Sequence, residues 1–218
     1  MKSFPQAVFF DFDGVILESA DVKTEAFVEL FKQYPHLQES VKQHHLQNQG
    51  VSRYKKFEWI YENLLHQPLS ESESQELGKE FSNLAFDKVV QSPFVPGALE
   101  LLQSIHQQCL CFVASGTPEQ ELKQIVERRS LTKYFKEVCG IPRSKTQIVL
   151  EMIEKYKLTP SKCWFVGDAT TDFEAAKETQ LNFIARNSQS LNLYWKQQDS
   201  ISVVESLLEV NAIWTNGN

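Results

Sequence analysis

A chain of 218 residues, 42% apolar and 23% charged, is long enough to bury a core and has the composition of a globular domain, alone or with an insert. Its net charge of −6 argues against nucleic acid or anionic membrane as partner, since both need a basic face, but leaves room for a small anionic substrate. No apolar run approaches the roughly 20 residues of a membrane span, and Asp11 cuts the N-terminal apolar stretch too early for a secretion signal.

Ala7-Val8-Phe9-Phe10 is a continuous apolar run, too short for a helix and closed by acids and a glycine. That pattern predicts a strand buried on both faces, with Asp11 and Asp13 at its carboxyl end. Two residues apart on an extended chain, these carboxylates point the same way, and Gly14 permits a sharp turn after them. Val22 to Phe31 follows as an amphipathic helix. From Leu37 to Val90 the chain is rich in Gln, Glu and Lys and offers no strand. Helical stripes run through Phe57, Ile60, Tyr61, Leu64 and Leu65, and then through Leu77, Phe81, Leu84 and Ala85.

From Pro96 the pattern alternates. A helix carries Leu99 to Ile105; a strand over Cys109–Ala114 ends in Ser115-Gly116-Thr117-Pro118; a helix continues through Leu122 and Val126. Val138-Cys139 is a short strand and Gln147–Tyr156 a helix. Cys163–Val166 is a strand ending in Gly167-Asp168, Thr171–Thr179 a helix, Asn182–Ala185 a strand and Ser202–Val210 a last helix. The tail from Thr215 to Asn218 is expected to fray. This alternation implies an α/β fold, a Rossmann-like doubly wound parallel sheet with an inserted all-helical cap. The core is expected at 1–17 and 92–218 and the cap at 18–91. The four cysteines, Cys109, Cys111, Cys139 and Cys163, lie in or beside strand-like runs without metal-ligand spacing, which fits reduced, buried thiols in a cytoplasmic protein.

Parallel strand order brings Asp11, Asp13, Ser115, Gly116, Thr117, Asp168 and Asp172 to one sheet edge, where open α/β sheets bind ligands. Lys145 reaches the same edge from the loop after the third strand. Two like charges ~4 Å apart repel by about 4 kcal/mol at an effective dielectric of 20, so clustered carboxylates need protons or a cation. Oxygen ligands with room for water and a phosphate oxygen favour Mg²⁺. Lys145 suits a phosphoryl group as a compact charge, and Ser115 with the N–H groups around Gly116 adds anion-binding donors. The sum is a phosphoryl-transfer site.

With these residues placed, the chain resembles the haloacid dehalogenase-like hydrolases over nearly its whole length. Asp11-Phe12-Asp13-Gly14 matches the first signature of that superfamily, Ser115-Gly116-Thr117 the second, Lys145 the third, and Gly167-Asp168-Ala169-Thr170-Thr171-Asp172 the fourth. The resemblance implies Asp11 as nucleophile forming an aspartyl-phosphate, and Asp13 as the acid and then the base. It implies Mg²⁺ on the Asp11 side chain, the Asp13 carbonyl and Asp168, with Asp172 orienting water or Lys145 rather than binding the metal. Ser115 and Lys145 would hold the phosphoryl oxygens, with Gly116 and Thr117 beside them. The acid at Asp13 points to a phosphate ester, because the carbon-attacking and phosphonate-cleaving branches dispense with it.

Within the cap, Gly50-Val51-Ser52-Arg53-Tyr54-Lys55-Lys56 is a cationic loop of the kind that faces the leaving group in capped relatives. Arg53 and Lys55 are the expected contacts, Lys56 a possible support, with a solvated basic turn as the plainer alternative. Lys23 falls where the mutase branch carries a histidine, which counts against a mutase, and Lys23 with Glu18 is expected to reshape the pocket entrance. The five histidines are expected away from the sheet edge. The expected activity is a Mg²⁺-dependent phosphatase of a small phosphorylated metabolite, as a monomer or small homo-oligomer, with no nucleic-acid or membrane partner. A phosphosugar mutase and a catalytically silent phospho-ligand binding or signalling module are the alternatives.

Overall fold

The computed structural model describes residues 4–187, 191–198 and 201–216. Six parallel strands form one sheet in the order β3-β2-β1-β4-β5-β6: β1 (Ala7–Phe10), β2 (Leu110–Pro118), β3 (Glu137–Ile141), β4 (Cys163–Gly167), β5 (Asn182–Arg186) and β6 (Ser202–Val204). The apolar N-terminal run thus becomes a central strand, paired to β2 on one side and β4 on the other. All four of its residues are fully buried.

Strand alternation divides that burial between two cores. Val8 and Phe10 face one apolar cluster and Ala7 and Phe9 the other. Phe9 stacks on Phe112 of β2 at 5.0 Å between ring centroids and on Phe165 of β4 at 6.3 Å. Burying a phenylalanine contributes about 1.5–3 kcal/mol, so this row fixes the register of the three central strands.

Helices α1 (Ala20–Leu30), α2 (Gln38–Gln47), α3 (Arg53–Ile60) and α4 (Glu71–Gln91) lie between β1 and the rest of the sheet-forming chain, with no named strand among them. Phe27, Phe57 and Phe81 join α1, α3 and α4, with centroids between 4.7 and 6.5 Å apart. Beyond them come α5 (Ala98–Ile105), α6 (Glu119–Arg128), α7 (Lys145–Tyr156), α8 (Thr170–Glu178), α9 (Asn192–Lys196) and α10 (Val210–Asn216).

The expected last helix over Ser202–Val210 is not formed. Ser202–Val204 is instead a sixth strand, parallel to β5 at the sheet edge. Only Val204 of its three residues is buried, so the run carries too little alternation to announce a strand. Helical structure begins later, where Ser206 and Glu209 form a capping box. Helix α10 then continues through Asn216, so Thr215 and Asn216 are helical rather than frayed; residues 217–218 lie outside the described residues. Strand β2 also runs further than Ala114, taking in Ser115 to Pro118 with a shift of register against β3. Among the described residues, no helix is long and apolar enough to cross a membrane.

Candidate active site

The carboxyl ends of β1, β2 and β4 are neighbours, so the sheet itself assembles the edge at which Asp11, Ser115 and Asp168 sit. Lys145 joins them as the first residue of α7, a helix started by a Ser144–Gln147 capping box. Its ammonium donates to Asp11 Oδ2 at 2.9 Å and to Asp172 Oδ1 at 2.5 Å. Asp172 is fully buried and spends its other oxygen on the Asp168 and Ala169 N–H groups, at 3.2 and 3.0 Å. It is therefore a brace for Lys145 and for the turn after β4.

One carboxylate oxygen each of Asp11, Asp168 and Asp172 lies within 4.8 Å of the others, all three buried. Burial, with the charges of Asp11 and Asp172 added, pushes Asp168 well above the usual carboxylate range. Burial raises Asp172 to about 7, Lys145 pulling it down and Asp11 pushing it up. Burial lowers the Lys145 ammonium, but Asp11 and Asp172 outweigh this and raise it above its ordinary value. A cluster so biased toward taking up positive charge, with oxygen donors only, suits a hard divalent cation. Gly14 makes the approach possible. Its φ is +80°, and a Cβ there would overlap the Asp168 carboxylate, so only glycine lets Asp168 close on the backbone after Asp13.

Asp13 points to a different set of partners. Its carboxylate accepts from Ser19 Oγ at 2.6 Å, from Thr117 Oγ1 at 3.1 Å and from the Lys23 ammonium, which also donates to Thr117 Oγ1 at 2.6 Å. Burial alone would raise Asp13; Lys23, with the hydrogen bonds from Ser19 and Thr117, holds it below the ordinary value. Lys23 does more than shape an entrance, since it holds the carboxylate expected to act as acid and base. Glu18 instead pairs with Arg186 at 2.6 and 3.2 Å, tying the loop after β1 to the end of β5.

Helices α1, α2, α3 and α4 close over this edge. Gly50, with φ +78°, sits so near the sheet that a Cβ would overlap Thr171 Oγ1 and come within 3.4 Å of Lys145 Nζ. A Cβ on Gly116 would lie 2.7 Å from the Gly50 carbonyl oxygen. The inner cavity between Asp11, Asp13 and the helices is about 60 Å³. A wider outer cavity of about 620 Å³ reaches Ser115, Gly116 and Lys145 from the other side of the Gly50 loop.

Arg53 lines the inner cavity, but its guanidinium is held bidentately by Glu121 of α6 at 2.9 and 3.0 Å and lies 4.4 Å above the Phe81 ring. Lys55 is exposed and borders the outer cavity only. Lys56 is buried and lines the inner one, as does His45, whose Nδ1 lies 3.1 Å from Lys56 Nζ. The expectation that every histidine stands away from the sheet edge is thus wrong for His45, which packing of α2 against α3 brings into the cavity wall. One signal for Lys56 was available. Counting back from Ile60 and Phe57 along the buried stripe of α3 arrives at Lys56 and Arg53, while Lys55 falls off it.

Comparison with known proteins agrees with this architecture. The sequence model of the family described as haloacid dehalogenase-like hydrolase matches residues 8–186. A phosphorylated carbohydrates phosphatase of Thermotoga maritima is 25% identical over 194 residues, spanning 86% of this chain and 87% of that protein. A phosphoglycolate phosphatase of Synechococcus elongatus is 29% identical over 93 residues, 41% of this chain and 44% of that one. The β-phosphoglucomutase of Clostridium difficile superposes with a TM-score of 0.75 at 18% identity, over 98% of each chain, a likeness of fold.

Proposed function

The chain belongs to the haloacid dehalogenase-like hydrolases, and from that premise we propose that it is a Mg²⁺-dependent phosphomonoesterase of the cytoplasm. Its substrate is a small phosphorylated metabolite, either a sugar phosphate or a phosphoglycolate-like acid. The observation that carries this reading is the edge where Lys145 sits 2.9 Å from the Asp11 carboxylate, with Asp168 beside them and Asp13 two residues along the same chain.

Asp11 attacks phosphorus with a carboxylate oxygen, forming the aspartyl-phosphate as the ester P–O bond breaks, and Asp13 gives a proton to the departing oxygen. In the second half Asp13 takes a proton from water as that water attacks phosphorus, and phosphate leaves Asp11. The Lys23 contact favours the carboxylate form of Asp13, the form this second half requires. Ser115, Lys145 and the N–H groups around Gly116 and Thr117 hold the phosphoryl oxygens, and Asp172 keeps Lys145 aimed. Asp11, Asp168 and the Asp13 carbonyl would hold Mg²⁺, which when bound supplies positive charge beside the phosphoryl group. Residues 18–91 act as the cap and the remainder as the core. Lys23 on Asp13, in place of the histidine of the mutase branch, favours hydrolysis over transfer to a sugar hydroxyl.

The test is phosphate release from sugar phosphates, phosphoglycolate, nucleotides and an aryl phosphate, with Mg²⁺ and with chelator. Release that needs the metal, concentrates on one group and vanishes in Asp11→Asn is the expected result. Equal activity of Asp11→Asn and the parent chain overturns the mechanism, and no release from any compound overturns the activity.

A further inference from the structure

Three cations of the helices reach the inner cavity, and two of them are already neutralised: Lys23 on Asp13 and Arg53 on Glu121. The third is Lys56. Its side chain is buried, 3% exposed, and among the described residues no carboxylate lies within ion-pair distance of it. What it has is His45 Nδ1 at 3.1 Å and the Phe27 ring, with its ammonium 5.3 Å from the ring centroid.

That arrangement is costly for an isolated protein. Burial, then the fields of Lys23, Arg53 and Lys145, all oppose the charged form of Lys56, which drops to about 7. His45, itself pushed down to about 2 by burial and by Lys56, offers a lone pair but no counter-charge. A desolvated amine surrounded by cations gains most from an anion brought in by the ligand. The phosphoryl group is not that anion. Of its holders, Ser115 and Gly116 border both cavities and Lys145 the outer one alone, whereas Lys56 lines only the inner one.

The space favours a short ligand. At about 60 Å³ against about 620 Å³ for the outer cavity, the inner one is the narrower of the two and suits a short chain better than a sugar ring. Ala20, Phe27 and Phe81 add apolar wall to a lining that also holds Gln49 and the sheet-edge carboxylates, and they strengthen any ion pair formed beside them.

We propose that Lys56, held in place by His45, is the specificity-determining residue of this site and selects substrates whose phosphate ester sits on a two- or three-carbon chain ending in a carboxylate. This rests on the phosphatase reading and narrows it, setting phosphorylated short-chain acids above phosphorylated sugars. The ammonium pairs with the substrate carboxylate, and Arg53, engaged by Glu121, is left to hold the helices against the sheet.

The experiment compares kcat/KM for 2-phosphoglycolate with that for 2-hydroxyethyl phosphate, which has the same chain length and no carboxylate, in the parent chain, Lys56→Gln and Lys56→Arg. A charge-assisted contact is expected to give the parent chain a preference of about 30-fold for the acid. Lys56→Gln brings the ratio near one and Lys56→Arg restores part of it. A parent chain that hydrolyses both esters equally overturns this proposal and leaves the phosphatase standing; one that hydrolyses neither, nor an aryl phosphate, overturns the phosphatase reading itself. A Lys56→Gln chain that loses both substrates in equal proportion makes Lys56 a structural or phosphoryl contact and also overturns the proposal. Should the variant fail to fold, competition in the parent chain decides: glycolate inhibits aryl phosphate hydrolysis and ethylene glycol does not, and equal effects overturn the assignment.

Discussion

Arg53 and Glu121 meet across the boundary between the helical segment and the sheet, both ends of the guanidinium engaged by one carboxylate at 2.9 and 3.0 Å. Ser82 Oγ adds a donor to the same carboxylate at 2.6 Å, and Arg53 is 4% exposed. Removing one partner leaves the other buried without compensation, which costs about 3–5 kcal/mol. Glu121→Ala and Arg53→Ala are each expected to destabilise the chain by about that much in denaturant unfolding. The double variant should fall well short of their sum. Additive losses would show that the contact does not couple the two sides.

Gly50 offers a second handle on the same boundary. Alanine there meets a left-handed φ and an overlap with Thr171 Oγ1, so the loop must lift away from Lys145. A displacement of about 1 Å in a positioning element costs on the order of 10²-fold in rate. Gly50→Ala should therefore lower kcat/KM at least about 10-fold while the midpoint of thermal unfolding changes little. Unchanged kinetics would mean that the loop's seat on the sheet is irrelevant to turnover.

Asp168 tests the metal. Asparagine keeps its shape and removes one of the crowded negative charges. The metal-free variant is expected to unfold at a higher temperature than the metal-free parent chain, while its half-saturating Mg²⁺ concentration rises by about 10- to 100-fold. Calorimetric titration with Mg²⁺ alone reads the second quantity without any substrate. Identical titrations for both proteins would take Asp168 out of the ligand set.

Lys56 sets a pH dependence whose sign follows from its value of about 7, against 10.5 for a free lysine. The groups facing it are His45 from α2, Lys23 and the Phe27 ring from α1, Arg53 from its own helix and, further off, Lys145 from α7. Between pH 7 and 10.5 the unfolded chain holds a proton on Lys56 that the folded chain lacks, so this residue contributes stability that grows as pH rises through that window. Binding of a carboxylate runs the opposite way, since it needs the ammonium. The KM for a short phosphorylated acid should rise above pH 7, and the rise should move to higher pH in Lys56→Arg. A flat profile from pH 6 to 9 in the parent chain would show that the lysine stays charged or takes no part in binding.

Much of the sheet edge was legible because Asp11, Ser115 and Asp168 each follow a short apolar run that reads as a buried strand. Asp11, Ser115 and Asp168 are anchored by Phe9, Phe112 and Phe165 of three adjacent strands, and their meeting at one edge needs nothing beyond parallel order. The cavity wall was harder to read. Lys55 and Lys56 differ by one position, about 100° around a helix, and the choice between them depends on how α3 is turned against α1 and α4. His45 enters the wall through contacts with Phe27, 4.6 Å between ring centroids, and Lys56, partners distant in sequence. Strand β6 was hidden for a related reason, as an edge strand with one buried residue has little pattern to show.

The three partners of Asp13 come from different places. Ser19 and Lys23 belong to the start of α1, and Thr117 to β2. Any movement that lifts α1 from the sheet strips the carboxylate of Ser19 and Lys23 and leaves it with Thr117 alone. On the proposed mechanism, proton transfer and enclosure are thus interlocked: the group that would activate water is set in position only while the helices stay seated on the sheet. A phosphoryl group parked on Asp11 would be guarded, during each opening, by the disarming of its own hydrolytic partner.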